Sequence, residues 1–284
     1  MLATTTSAFA PSAHRIQRGG IGFARGLSRD ELRRACPGAF ALDKHESRSE
    51  RYTYIPTIDI IDGMEKAGFI PVKAVQANCR TEGKKDHGKH LIRFRREDQM
   101  GASEAREVIL KNSHDGTSAY EMSAGVFRLV CSNGLVVGRE DVMHKLRHSG
   151  NQIDNVIDVA SRIVDEFDLV NEDIDLMKSV TLDAPLQIAF ANAAIAARFD
   201  DVELPITPEQ ALRARRQADM PNDVFTVFNR LQENLVKGGI MGVKKNSVGI
   251  KRYARTREVK GIDQNTALNR ALWTLGVEVA KLAR

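Results

Sequence analysis

The apolar residues of this chain follow two different periods, and the change from one to the other constrains its fold more than any single motif. Up to the stretch Glu107 to Gly150 they alternate: Val75, Ala77 and Cys79 with Gln76, Asn78 and Arg80; Ile92 and Phe94 with Leu91, Arg93 and Arg95; Val108, Leu110 and Asn112 with Ile109 and Lys111. A period of two sends successive side chains to opposite faces, the pattern of a strand with one buried face. After Gly150 the residues Ile153, Val156, Ile157, Ala160, Ile163, Val164 and Phe167 recur at steps of three and four, the stripe of an amphipathic helix. The two regimes together predict an α+β protein, with an antiparallel β-meander in the N-terminal half packed with a helical C-terminal half.

Local signals divide the chain further. Residues 1–27 carry Gly19, Gly20, Gly22 and Gly26 among arginines with no apolar period, and read as a disordered basic arm. Residues 28–149 form the sheet region, and 150–284 the helical region with a basic loop at 238–261. Ser28 with Glu31 makes a capping-box pair for a short helix that Pro37 and Gly38 end. Thr57 caps a helix through Ile58, Ile61 and Met64, stopped by Gly68. Asp115-Gly116 turns a hairpin into a run from Ser118 to Met122. Val126 to Cys131 is read as a short helix ended by Asn133-Gly134, with a hairpin at that pair as the alternative. Asp183 with Pro185, Thr207 with Pro208 and Gln210, and Asn222 start three more helices, the last stopped by Gly238-Gly239; Asp263 precedes a final one.

Charge is distributed unevenly. The chain of 284 residues has a formal net charge of +5, yet Lys237 to Lys260 alone holds eight basic residues against Glu258. Arg80 to Arg96 holds seven against Glu82 and Asp86, whereas Gly150 to Pro205 holds twelve acidic residues against Arg162, Lys178 and Arg198. Two basic surfaces beside an acidic helical body point to a polyanionic partner. The candidate phosphate contacts are Lys84, Lys85, Lys89, Arg93 and Arg95 on and beside the sheet, and Lys244, Lys245, Lys251, Arg252, Arg255 and Arg257 in the C-terminal basic segment, where Tyr253 is placed to stack on a base. His45, Arg48 and Arg51, in a polar connection, either meet phosphate or face water. A second set, Asn112, His114, Arg128, Asn133 and His148, falls where sheet meets helices and is a candidate groove.

Catalytic signals are weaker. His114-Asp115 is adjacent, and His144 and His148 would share one face if they stood on a helix, but Lys145, Leu146 and Arg147 between them exclude an HExxH pattern. Cys79, His87 and His90 match no standard zinc spacing, Lys237 to Gly242 is no Walker A loop, and Cys131 is read as a buried thiol. No metal and no cofactor are expected. Cys36, Cys79 and Cys131 are too few and too scattered for a disulfide framework, which suits a reducing compartment. With no secretory-signal pattern and no apolar run of the ~18 residues that a span needs, the expected location is the cytoplasm, away from membranes.

The segments SHDGTSAYEM, FRLVCSNGLVVG, RLQENLVKGG and VKGIDQNTALNRALW, with DKHESRSERYTYIPTI from Asp43 to Ile58, resemble the domain of unknown function numbered 932, in order and over nearly everything after about residue 30. The resemblance implies carriage by prophages and conjugative plasmids, in the plasmid case near genes that handle single-stranded DNA. It brings no catalytic residues. The expectation is a nucleic-acid-binding protein of plasmid or phage DNA metabolism, binding or annealing single-stranded DNA, with a second copy of the chain or a host DNA-metabolism protein as further partners. A metal-dependent nuclease or hydrolase, and a factor acting on a host repair or defence protein, are the alternatives.

Overall fold

The computed structural model describes residues 25–46, 54–78, 84–128, 133–146, 152–199, 206–245, 249 and 251–284. The chain enters through α1 (Arg29–Ala35), whose capping box pairs Ser28 with Glu31 as the sequence indicates, and a 3-10 turn at Pro37–Phe40 follows. Helix α2 (Thr57–Lys66) ends at Gly68, with φ +83°. Its N-cap is Pro56, and Thr57 is its first helical residue, so the Thr57 hydroxyl is not spent on the cap.

Six strands make the main sheet: β1 (Phe69–Gln76), β2 (His90–Arg96), β3 (Glu104–Asn112), β4 (Tyr120–Arg128), β5 (Asn133–Val136) and β6 (Met143–Leu146). The first five run β1-β2-β3-β4-β5 with every pair antiparallel, a meander, and β6 shares the outer edge of β4 with β5. The expected helix over Val126 to Cys131 is corrected here. Val126, Phe127 and Arg128 are ladder residues paired with Leu135, Gly134 and Asn133, so Asn133-Gly134 opens a strand and neither caps a helix nor makes the turn. Residues 129–132 lie outside the described residues. The glycine has a packing reason instead: a Cβ at Gly134 or Gly125 would meet the Arg93 guanidinium at 2.8 or 2.7 Å. In β1 a register irregularity between Pro71 and Lys73 shifts the phase, which leaves Val75 exposed where alternation alone placed it inward.

Both faces of the sheet are covered. Ile92, Phe94, Val108, Leu110, Met122 and Ala124 face α2 and α3 (Gln152–Asp165), whose Val156, Ala160 and Ile163 join the same core. On the other face Leu91, Ile109 and Val136 meet Ile262, the first residue of α8 (Ile262–Leu282). An ion chain reinforces that contact: Lys111 lies 3.2 Å from Glu121 and 3.3 Å from Asp263, Arg270 reaches Glu121, and Lys89 reaches Asp263.

The helical half comprises α4 (Phe167–Ser179), α5 (Ala184–Arg198), α6 (Pro208–Ala211), α7 (Val224–Lys237) and the length of α8. Asp183 caps α5, and Thr207 with Gln210 forms the capping box of α6. For α7 the cap is Asp223, which accepts from the Thr226 amide, one residue beyond the expected Asn222. Asn222 instead accepts from Arg230. Trp273 of α8 packs edge-on against Phe228 of α7 at 5.9 Å and donates its indole N–H to Asp173. The basic segment after Gly238-Gly239 is not a loop throughout: β7 (Met241–Lys245) and β8 (Lys251–Arg255) pair as a separate two-stranded sheet. Among the described residues no helix is long and apolar enough to cross a membrane.

Candidate nucleic-acid interface

The sheet does not offer the basic face that alternation suggested. Arg93 and Arg95 do lie opposite Ile92 and Phe94, but they are buried, at 5% and 4% exposure, and converge on Glu107. Arg95 Nε donates to Glu107 Oε1 at 2.7 Å, Arg93 Nε donates to Oε2, and Arg93 also donates to the Leu135 carbonyl at 2.7 Å. The Arg95 guanidinium lies 3.9 Å from the Phe127 ring centroid. Lys89 is committed to Asp263, Lys84 is half-buried near Asp115, and the Lys85 side chain lies outside the described residues.

Among the described residues of the candidate groove, Arg128 does not converge with Asn112 and His114. Arg128 sits at the far end of β4, paired with Asp219 at 2.8 Å. Asn133 is its ladder partner, with a side chain outside the described residues, as is all of His148. His144 stands on strand β6, so the proposed i, i+4 helix face with His148 does not exist; its Nε2 lies 3.8 Å from Glu166. Arg48, Arg51, Cys79 and Cys131 also lie outside the described residues, whereas His45 is buried. Among the described residues no group of three or more His, Cys, Asp or Glu is placed to hold a metal ion.

Asn112 and His114 are brought together, but inside the protein. His90, Asn112 and Tyr120 form a row on the core-facing side of β2, β3 and β4, and Thr57 comes down on it from α2. Thr57 Oγ1 is 3.0 Å from His90 Nε2, from His114 Nε2 and from Asn112 Nδ2, and 3.4 Å from Tyr120 OH. The protons can be placed. The Gly88 carbonyl, 3.0 Å from His90 Nδ1, can only accept, so Nδ1 carries the proton. Burial pushes the His90 pKa down to about 4, so the ring is neutral and its Nε2 is a bare acceptor for the Thr57 hydroxyl proton. The two lone pairs of the hydroxyl then accept from Asn112 Nδ2 and His114 Nε2, while Tyr120 donates to the Ile55 carbonyl at 3.0 Å. Asp115 is accounted for by its turn: Oδ1 accepts from the Thr117 amide at 3.0 Å and hydroxyl at 2.6 Å, and Gly116 has φ +77°.

This wiring gives a pH dependence. An unfolded histidine titrates near ~6.5, and the folded value is lower, so the unfolded chain binds more protons between the two. The stabilisation is therefore complete above the unfolded value and drains away as pH falls toward the folded one, by on the order of 2–3 kcal/mol at about pH 4.5. Urea unfolding at pH 7.5 and 4.5 measures it, and His90→Gln is expected to flatten the difference. An unchanged difference in that variant removes His90 as its source.

The C-terminal ribbon is the feature that stands free. All five residues of β8 are exposed, Tyr253 at 80%, as are Met241 and Val243 on β7 and Arg257 beyond. In the ladder Val243 pairs with Tyr253, Lys244 with Arg252, and Lys245 with Lys251. The side chains of Lys244 and Lys245 lie outside the described residues. Its presence as a ribbon was not legible, because the segment lacks an apolar alternation strong enough to mark two strands.

An antiparallel sheet covered by helices on both faces, with an exposed basic ribbon in its helical half, defines an α+β protein. Residues 44–273 match the domain of unknown function DUF932, and the chain belongs to that family. It is 46% identical over 251 residues to UPF0380 protein YafZ and 45% identical over 251 residues to UPF0380 protein YfjQ, both of Escherichia coli (strain K12), in each case covering 88% of this chain and 90% of the relative. No solved structure matches the chain.

Proposed function

We propose that this protein binds a polynucleotide, single-stranded DNA in the first instance, through the β7–β8 ribbon, and that the role requires no catalytic step. The observation that carries the reading is the exposure of Tyr253 in a ladder flanked by cationic residues. A lone two-stranded ribbon is only marginally stable in water, so an exposed aromatic and exposed Met241 and Val243 on it are costly unless they serve contact. Lys251, Arg252, Arg255 and Arg257 supply phosphate neutralisation, and Tyr253 supplies a stacking face that only an unpaired base can use fully. The buried Arg93 and Arg95 take no part.

Fluorescence anisotropy with single- and double-stranded oligonucleotides across a salt series tests the proposal. The triple change Lys251→Ala, Arg252→Ala and Arg257→Ala is expected to weaken single-strand binding on the order of 100-fold near 0.1 M salt, and to make the log–log salt slope shallower by about 2. Tyr253→Ala is expected to lose roughly 5–100-fold with the slope unchanged, the signature of lost stacking. Equal affinity of wild type and triple variant, or no binding by the wild type at low salt, sinks the proposal.

A further inference from the structure

Where the ribbon meets the helical body there is a hollow of about 560 Å³, lined by Gln210, Arg213, Arg215, Asn234, Met241 and Arg255 among others. Its charge is one-sided: three guanidinium groups and no carboxylate among the lining residues. Several arginines at contacts between elements are neutralised by carboxylates, Arg93 and Arg95 by Glu107, Arg128 and Arg216 by Asp219, and Arg270 by Glu121, whereas Arg198 and Arg230 rest on uncharged acceptors. Of the three around the hollow, Arg215 and Arg255 are held by uncharged acceptors. Arg215 Nε donates to Asn234 Oδ1 at 2.7 Å and its Nη2 to the Gly238 carbonyl at 3.1 Å; Arg255 Nη1 donates to the Gly239 carbonyl at 2.9 Å. Arg213 has no hydrogen bond or ion pair from its side chain to any described residue.

The walls are built rather than incidental. Asn234 is 3% exposed and donates to the carbonyls of Ala211 and Arg213 at 2.7 and 2.9 Å while accepting from Arg215. Gln210, the capping-box residue of α6, donates to the Met241 carbonyl at 3.0 Å and so ties the root of the ribbon to the wall. Guanidinium groups fixed on neutral acceptors keep their full charge and retain N–H donors to aim into the hollow, which is the arrangement that binds planar or tetrahedral oxyanions best.

We propose that this hollow is a phosphate site that takes the dianionic phosphate monoester of a nucleotide or of a strand end. Three uncompensated cations match a dianion better than a carboxylate or an internal phosphodiester, each of which brings a single charge. The site shares Arg255 with the phosphate contacts along the ribbon, and its other two cations, Arg213 and Arg215, are distinct from them.

Titration calorimetry on the full chain tests it with adenosine monophosphate and inorganic phosphate, and with adenosine and acetate as controls. Saturable binding is expected for the two phosphates only. Arg213→Gln, an exposed change that spares the wall, is expected to weaken both at least 5-fold. Addition of Arg215→Gln should abolish binding, with thermal unfolding used to confirm a folded protein. Lys251→Ala with Arg252→Ala should leave phosphate affinity within twofold. No saturable phosphate binding, acetate competing as well as phosphate, or affinity unmoved by Arg213→Gln each overturns the site. Competition by a 5′-phosphorylated oligonucleotide but not by its 5′-hydroxyl counterpart identifies a strand end as the ligand; competition by the mononucleotide alone identifies a free nucleotide. Oligonucleotide binding without phosphate binding removes the hollow and leaves the ribbon proposal standing, and the reverse result removes the ribbon and leaves the hollow.

Discussion

Replacing Glu107 by alanine is expected to lower the stability of the protein by about 3–5 kcal/mol, enough to consume much of the roughly 5–15 kcal/mol that holds a domain folded. Glu107 is 1% exposed and is the carboxylate shared by Arg93 and Arg95. Without it two guanidinium groups remain under the sheet-covering layer, against each other and without a counter-charge. The Leu135 carbonyl and the Phe127 ring offer only partial charges in its place. Arg93 cannot swing out to water cheaply, since it lies in the space left open by Gly125 and Gly134. Glu107→Gln keeps the shape and is expected to lose nearly as much, because the missing quantity is charge. The concerted change of Arg93 and Arg95 to Met with Glu107 to Leu is expected to stay within about 1–2 kcal/mol of wild type, as buried ion clusters replaced by apolar groups of similar volume often do. Guanidinium chloride unfolding of the three variants separates these cases. A Glu107→Ala protein within 1 kcal/mol of wild type would show that water or a displaced side chain reaches the pair, and the buried triad would have to be given up.

The same triad shows why the sheet was only half legible. Alternation in β2 placed Arg93 and Arg95 correctly, opposite Ile92 and Phe94, because a period of two is a property of the strand itself. Whether the second face meets water depends on a segment far away, here Ile262, Asp263 and Arg270 of α8, and no local pattern carries that. Charged residues on a strand were therefore assigned to a solvated face when another strand held their counter-ion. The helix ends were better determined, because Ser28 with Glu31, Asp183 and Thr207 with Gln210 act on amides within three residues. The strand at Val126 to Arg128 was missed because its pairing, with Leu135 and Asn133, had to be chosen over an equally plausible local helix stop. Conversely, a signal for the buried polar cluster was present: His90, Asn112 and Tyr120 each occupy the same strand phase as the core residues beside them, Ile92, Leu110 and Met122. A polar residue in the inward phase at a strand end requires a partner, and Thr57 lies 33 residues from His90 and 63 from Tyr120, beyond the reach of any spacing rule.

Thr57→Val is expected to cost about 3–5 kcal/mol, although it replaces one side chain by another of nearly identical shape. Loss of the hydroxyl leaves His90 Nε2 without a donor and Asn112 Nδ2 and His114 Nε2 without their shared acceptor, in a site where all four residues have no measurable exposure. Each abandoned group forfeits its hydration without compensation, at roughly 1–3 kcal/mol, and partial relaxation keeps the total below the sum. Thr57→Ser keeps the hydroxyl and removes one methyl, so it should fall within about 1 kcal/mol of wild type. The contrast between the two isolates hydrogen bonding from packing. A second readout is independent of stability: nitrogen NMR of the imidazoles should show His90 as the Nδ1–H tautomer and His114 as the Nε2–H tautomer, a mixed pair that follows only if one hydroxyl donates to the first ring and accepts from the second. Two rings in the same tautomer, or a Val variant as stable as the Ser variant, would break that assignment. Because Thr57 opens α2 while its partners come from β2, β3 and the turn that carries Asp115, this hydroxyl fixes the helix on the sheet at the end where Gly88, Lys89 and the start of α8 also meet, and its loss should loosen all three segments together in hydrogen exchange.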